Sequence, residues 1–320
     1  MRYPWLIASL LLGLPLGAQR APVQSPASAV TLTYLGTAGW EISDGYTVIL
    51  VDPYLSRLRR ADPDADAPSL AVPGDGDSRR LFGPDDVFIS DTAAIDAHIR
   101  RADFVLVHHS HSDHLMDVPY IAGKFGATVM GSESTTNAVR AYGLPPARLI
   151  TVRGGEDYVF GTFSIRVIPS LHSPLDGKHY FDSRVISRTV KAPLRNRDYV
   201  EGGSFAYLIR IGGHEILTSG SMNFIERELE GLRPDVAIVG AAPSRRELHD
   251  YSGRLLRALG LPTIVLPTHW DNHALALLDD RATSDRLPRL RAFIDEIHAA
   301  SPRTRVIVPK YFDPIVLPPR

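Results

Sequence analysis

The sequence predicts an α/β fold in which two mixed β-sheets pack face to face with helices on the outside. Three observations support it. Strand pairs joined by Asp-Gly or Gly-Gly turns occur in both halves of the chain, βαβ alternation also occurs in both halves, and some strands are short, wholly apolar runs suited to burial on both faces. No sequence repeat relates the halves.

Along the chain, residues 30–35 form a β-rich run, and residues 40–43 lead through Asp44-Gly45 into 46–51, a hairpin that stops at Asp52-Pro53, where proline removes a backbone donor. Residues 57–84 crowd Asp, Pro, Gly and Arg without periodicity and are expected to form a surface insertion. Helical spacing over 92–101 follows Ser90 and Asp91 as candidate caps, and the apolar strand 104–107 runs straight into a histidine cluster. A helix around 115–124, a strand at 127–130 and a helix at 135–142, ended by Gly143, come next. Strand character returns at 163–169, a loop carries His172, and an irregular basic stretch covers 176–201. A hairpin at 204–218 turns on Gly212-Gly213. The tail alternates strands (236–239, 263–266, 305–308) with helices (246–259, 287–300).

At 320 residues, one domain over 29–320 with insertions near 57–84 and 176–201 accounts for the chain. Hydrophobic residues at 44% and charged residues at 22% exclude a disordered chain and a membrane bundle, and a net charge of −1 gives no reason to expect nucleic acid. A small molecule is the expected partner. There are no cysteines, so disulfides are excluded and any metal falls to oxygen and imidazole donors. Arg2, the apolar run from Trp5 to Leu16 and the small residues Gly17 and Ala18 read as a signal peptide over 1–18, with 19–28 as a flexible mature N-terminus. The apolar run is short for a membrane span, so the chain is expected to be exported, periplasmic or secreted, without stable membrane insertion.

The chemistry is concentrated in His109-Ser110-His111-Ser112-Asp113-His114, where a buried strand gives way to a helix. Four metal-capable side chains within six residues are rarely accidental. On a turn, residues two apart converge on one ion while the next two address a neighbouring one. His108, by strand alternation, is expected to face away from the metals in a structural role. His98, His214, His249 and His298 read as surface residues.

The six-residue segment resembles the H-x-H-x-D-H signature of the metallo-β-lactamase superfamily. Further landmarks follow in order: Asp52 in Leu50-Val51-Asp52-Pro53-Tyr54, His172 in Pro169-Ser170-Leu171-His172, and His269 in Leu266-Pro267-Thr268-His269-Trp270-Asp271. The resemblance implies an αββα sandwich and two zinc ions, the first on His109, His111 and His172, the second on Asp113, His114 and His269. It also implies that Asp52 supports a ligand from behind and that Asp113 orients an attacking water. One departure stands out: at the Gly-Asp step where such hydrolases carry a metal-bridging aspartate, this chain reads Gly220-Ser221. Six ligands with serine in that region also occur in metallo-β-lactamases that lack a cysteine ligand.

Leu35-Gly36-Thr37-Ala38, Val51-Asp52-Pro53-Tyr54 and Pro267-Thr268-His269 resemble the branch that includes ascorbate-phosphate lactonase and N-acyl-phosphatidylethanolamine phospholipase D relatives. The implied activity is zinc-dependent hydrolysis of an ester, lactone or phosphodiester bond. The alternatives are a β-lactamase lacking the cysteine ligand, or a non-catalytic metal-binding relative. Against the β-lactamase, His172-Ser173-Pro174-Leu175 departs from the histidine-threonine-proline-glycine context of those enzymes. His179, Tyr180, Trp270 and His273 lie close in sequence to ligands and are expected on the pocket wall. The basic residues Lys178, Arg184, Arg188, Lys191, Arg195 and Arg197 read first as a solvated insertion and second as an anion-binding loop.

Overall fold

A computed structural model of the chain describes residues 28–59, 79–175, 178–180 and 182–320. The expected signal peptide, nearly all of the mature N-terminus and most of the insertion expected at 57–84 lie outside these residues. Among the described residues no helix is long and apolar enough to cross a membrane.

The first half supplies β1 (Val30–Gly36), β2 (Gly39–Ser43), β3 (Val48–Val51), β4 (Phe104–Leu106), β5 (Thr128–Gly131) and β6 (Leu149–Thr151). The second supplies β7 (Asp157–Phe160), β8 (Phe163–Pro169), the short pair β9 (Pro174–Leu175) and β10 (His179–Tyr180), then β11 (Phe205–Ile211), β12 (His214–Ser219), β13 (Val236–Gly240), β14 (Ile264–Thr268) and β15 (Arg305–Val306). The last strand, β16 (Pro314–Leu317), returns to the first sheet and pairs with β1. Two seven-stranded mixed sheets result, ordered β16-β1-β2-β3-β4-β5-β6 and β15-β14-β13-β12-β11-β8-β7.

Side-chain alternation divides the inner strands of the first sheet between two cores. Ile49, Val51, Leu106 and Met130 meet Ile165, Val167, Tyr207 and Leu217 of the opposite sheet. Val48, Leu50, Val105 and Val129 face the other way, toward helices α1 (Thr92–His98), α2 (Ser112–Leu115), α3 (Val118–Phe125) and α4 (Glu133–Ala141). This two-sided burial is why residues 104–107 read as an unbroken apolar run. The intersheet core continues under the later helices, where α5 (Glu226–Leu229), α6 (Tyr251–Ala258), α7 (Arg281–Ser284) and α8 (Leu287–Ala300) follow; Leu255, Leu256, Leu290, Phe293 and Ile297 are buried in it.

Two helices differ from expectation. The helix expected at 115–124 is two, α2 and α3, separated at Asp117, whose buried carboxylate accepts from the Leu55 and Ser56 amides at 2.7 and 2.9 Å. The helix expected at 246–259 starts only at Tyr251, because a 3-10 turn over Pro243–Glu247 precedes it. The first long irregular stretch begins packed against the domain, with Arg57 and Leu58 buried, and the second is anchored by buried Ile186, Leu194, Tyr199 and Val200.

Candidate metal centre

β8 runs antiparallel to β11, β11 antiparallel to β12, and β12, β13 and β14 run parallel, so β8, β12 and β14 all end at the same edge. His172 follows β8, Ser221 follows β12 and His269 follows β14. In the first sheet, parallel β3 and β4 end in Asp52 and in the histidine cluster. The cluster closes over one turn: His111 opens α2, and its carbonyl accepts from the His114 and Leu115 amides at 3.1 and 3.0 Å. That turn sets Asp113 and His114 beside His109 and His111.

His109, His111 and His172 form a buried trio. Their ring centroids lie 4.8, 4.7 and 4.7 Å apart, with planes at 86°, 82° and 86° to one another. Three mutually perpendicular imidazoles at equal spacing surround one point, the arrangement of facial ligands on a cation. The His109 ring is 1% exposed, and neither of its nitrogens has a hydrogen-bond partner among the described residues. Leaving such a group unsatisfied costs about 1–3 kcal/mol, a cost that coordination removes. His172 donates from Nδ1 to the Ser173 carbonyl at 2.9 Å, which leaves its Nε2 lone pair for a ligand bond. Burial, reinforced by neighbouring imidazoles, holds His109 well below the usual histidine range, and burial takes His172 down to about 4. Both are therefore neutral donors at physiological pH.

Next to this trio, Asp113 Oδ2 faces three imidazole Nε2 atoms: His269 at 3.2 Å, His114 at 3.6 Å and His273 at 4.0 Å. The His109 and His114 ring centroids are 3.8 Å apart, so the two groups adjoin. His114 uses its other nitrogen behind the site, where Nδ1 lies 2.5 Å from Asp52 Oδ2. His108 Nδ1 reaches the same oxygen at 2.5 Å, and its Nε2 meets Thr218 Oγ1 at 2.9 Å. Donors sharing a tetrahedral zinc stand roughly 3.3 Å apart, so 2.5 Å marks hydrogen bonds here and sets Asp52 and His108 behind the ligand positions. Burial alone would raise the Asp52 carboxyl. The His108 and His114 imidazoles outweigh it, by charge and hydrogen bond, and lower it to about 2.

The family model for the β-lactamase superfamily domain matches residues 31–269. The chain belongs to the metallo-β-lactamase superfamily. A metal-dependent hydrolase from Heliobacterium modesticaldum is 23% identical to it over 256 residues, 75% of this chain and 82% of the relative. Another, from Polynucleobacter asymbioticus, is 23% identical and covers 84% of this chain and 85% of its own length. In fold, the chain resembles a metallo hydrolase from Ignicoccus hospitalis, with a TM-score of 0.56 at 16% identity, over 91% of this chain and 99% of that one.

In this superfamily member, Ser221 is hydrogen-bonded into the loop that carries His172. Its Oγ accepts from the Ser173 amide at 2.9 Å and lies 2.9 Å from Ser173 Oγ, and Asn223 Nδ2 donates to the His172 carbonyl at 3.0 Å. The serine clasps the loop that presents His172. Its neighbour Gly220 must stay small, because a β-carbon there would stand 2.6 Å from His108 Nδ1 and 2.8 Å from Asp52 Oδ2.

Several sequence expectations change at this rim. Trp270 is not an open pocket wall; it is buried in the intersheet core, with its ring stacked 6.5 Å from Tyr34. His273 is buried beside Asp113. The pocket expectation for His179 and Tyr180 concerns side chains outside the described set; their backbone pairs with Pro174–Leu175. His214 is not a surface residue: it is buried, with Nδ1 2.6 Å from Asp235 Oδ2. In the basic stretch Lys178 pairs with Glu247, Arg184 with Asp182, and Arg195 and Arg197 with Asp85, which favours the solvated-insertion reading.

The residue that sequence reasoning missed is Arg57. Fully buried, it donates from Nη2 to Asp271 Oδ2 at 2.8 Å. Asp271 also accepts from the Thr37 amide at 3.0 and 3.1 Å, from Tyr34 at 3.1 Å and from Tyr311 at 2.5 Å, while the His269 amide donates to the Thr37 carbonyl at 2.6 Å. The β1–β2 turn of the first sheet is thereby fastened to the His269 loop of the second. Burial alone would raise the Asp271 carboxyl, but the Arg57 charge and the hydrogen bonds from Tyr311 and Arg57 hold it far below the usual range. The one available signal was an acid, Asp271, two residues beyond an expected ligand and in need of a cationic partner.

Proposed function

We propose that this chain is a metal-dependent hydrolase that holds two divalent cations, zinc by its donor set, and cleaves an ester, lactone or phosphodiester bond in a small molecule. One observation carries the reading: three perpendicular, buried imidazoles converge beside a carboxylate that faces further imidazoles. The superfamily and relatives that bear the name metal-dependent hydrolase support it.

His109, His111 and His172 would hold the first cation, and Asp113, His114 and His269 the second. When bound, such cations lower the pKa of water toward ~7 and polarise a carbonyl or phosphoryl oxygen. The chain does the positioning. The Ser173 carbonyl and the Asp52 carboxylate fix the tautomers of His172 and His114, so that each presents Nε2 to the site. Asp113 accepts a proton-side hydrogen bond from the attacking water and aims its lone pair at the substrate. His108 and Thr218 keep Asp52 in place behind His114.

The test uses purified protein stripped by chelator and reloaded with zinc, assayed on p-nitrophenyl acetate, an acyl-homoserine lactone, bis-p-nitrophenyl phosphate and nitrocefin. Metal-restored turnover of one of the first three supports the reading, with His111→Ala and Asp113→Ala folded and inactive. Preference for nitrocefin overturns it in favour of a β-lactamase. Bound zinc without turnover of any substrate favours the non-catalytic relative. Export is part of the proposal, and N-terminal sequencing of the mature protein, expected to begin near Gln19, checks it.

A further inference from the structure

We propose that His273 is a protein ligand of the second cation and supplies the donor that Ser221 does not. The inference rests on the two-cation reading above. Two donors each about 2.0–2.1 Å from one zinc stand no more than about 4.2 Å apart. From Asp113 Oδ2, the Nε2 atoms of His269, His114 and His273 at 3.2, 3.6 and 4.0 Å all fall within that span. Asp113, His269 and His273 form a cluster of donor side chains of the same kind as His109, His111 and His172. The His269 and His273 rings are 5.1 Å apart at 83°, close to the angles inside the first trio.

Local structure holds His273 there. On one side the Asn272 amide donates to the Ala282 carbonyl at 2.7 Å; on the other, the Ala274 amide donates to Asn272 Oδ1 at 3.1 Å and Arg79 Nη2 to the Ala274 carbonyl at 2.8 Å. The residue is 2% exposed, so its imidazole is withdrawn from solvent with its Nε2 directed at the Asp113 carboxylate. Meanwhile the Ser221 hydroxyl is bound into the clasp with Ser173. With His273 included, the second site has four protein donors and the first has three, so the open position that catalysis requires lies on the first.

The test measures metal binding, not turnover. Apo-protein is titrated with Co2+ against a chromophoric chelator, and bound equivalents are counted by elemental analysis. Wild type is expected to take two equivalents, and His269→Ala one tightly. His273→Ala and the closer-volume His273→Asn should bind the first equivalent unchanged and the second at least about 10-fold more weakly, with an altered visible cobalt spectrum. His273→Asp, which restores a donor, should recover the second equivalent. Far-UV circular dichroism of each apo-variant confirms the fold. If His269→Ala loses the second equivalent while both His273 variants keep it with unchanged affinity and spectrum, the proposal is overturned and the two-cation reading stands. A wild-type protein that binds a single equivalent overturns both.

Discussion

Replacing Arg57 by methionine should destabilise the protein by about 3 kcal/mol. Removing one partner of a buried ion pair costs about 3–5 kcal/mol, because the other charge stays behind unpaired. The lower end applies for two reasons. Asp271 keeps donors from Thr37, Tyr34 and Tyr311. The Arg57 Nε and Nη1 have no hydrogen-bond partner among the described residues, so their burial is relieved when the guanidinium goes. Unfolding entropy for a chain of this size is roughly 0.6 kcal/mol per kelvin, so the melting temperature should fall by about 5 °C. The assay is urea unfolding of apo-protein with a thermal melt beside it, in a cycle with Asp271→Asn. The double variant should be less destabilised than the sum of the singles, since it no longer buries an unpaired carboxylate. The pH dependence carries the sign. Because Asp271 is depressed in the folded state, its contribution is present above the unfolded carboxyl value near ~4 and lost as pH falls below it. The wild-type advantage over Arg57→Met should therefore hold between pH 5 and 8 and shrink in stronger acid. A loss under about 1 kcal/mol, or a gap independent of pH below 4, refutes the reasoning.

Asp52→Asn removes the carboxylate that orients His114 and should weaken metal binding about 10–100-fold in a chelator competition. Gly220→Ala forces a methyl against His108 and Asp52 and should cost about 1–3 kcal/mol in urea unfolding, with loss of metal affinity, whereas Gly123→Ala, where nothing lies near, should not. Apo-protein should lose stability as pH falls from about 6.5 toward 4, because unfolded histidines take up protons that buried His109 and His172 refuse. Each such proton gives a slope of about 1.4 kcal/mol per pH unit, and His172→Asn should flatten the profile by close to one of them.

The strands that carry the candidate donors were legible because two-sided burial writes itself as apolar runs, and because the histidine cluster sits at the end of one of them. Family resemblance singled out Asp52 as support for a ligand and Ser221 as a departure from a bridging aspartate; the Asp52 carboxylate lies 2.5 Å from His114 Nδ1, and Ser221 is bonded to Ser173. β6, β7 and β16 escaped notice. β7 carries an exposed, mixed-polarity face, and β16 takes its place by pairing with β1 from the far end of the chain, a relation no local window contains. Arg57 was hidden for the same reason: in a stretch rich in Asp, Pro and Gly nothing local marks this arginine as buried. His108 was read by strand alternation as facing away from the metals. In the structure it reaches the same Asp52 oxygen as His114, so the two histidines are tied through one carboxylate.

The fastenings of this rim also explain its strained backbone. Thr37, Asp52, Arg57 and His269 all have positive φ, 54°, 40°, 45° and 53°, a conformation that costs non-glycine residues on the order of 1–3 kcal/mol each. Thr37, Asp52 and His269 lie where the chain leaves a strand and Arg57 in the irregular chain beyond β3, and each joins the Asp271 network or the Asp52 pair, so cross-sheet bonds hold the donors where strand geometry alone would not. If the Asp271 network serves the metal as well as the fold, metal should widen the gap between wild type and Arg57→Met. At a free cation concentration of 100 times the wild-type Kd, binding adds about 2.7 kcal/mol to wild type. A variant whose affinity is 10-fold weaker gains only about 1.4 kcal/mol, so the stability difference should grow by about 1.3 kcal/mol over its apo value. Urea unfolding with and without buffered zinc measures it directly. An unchanged difference would mean that Arg57 holds the two sheets together without placing His269.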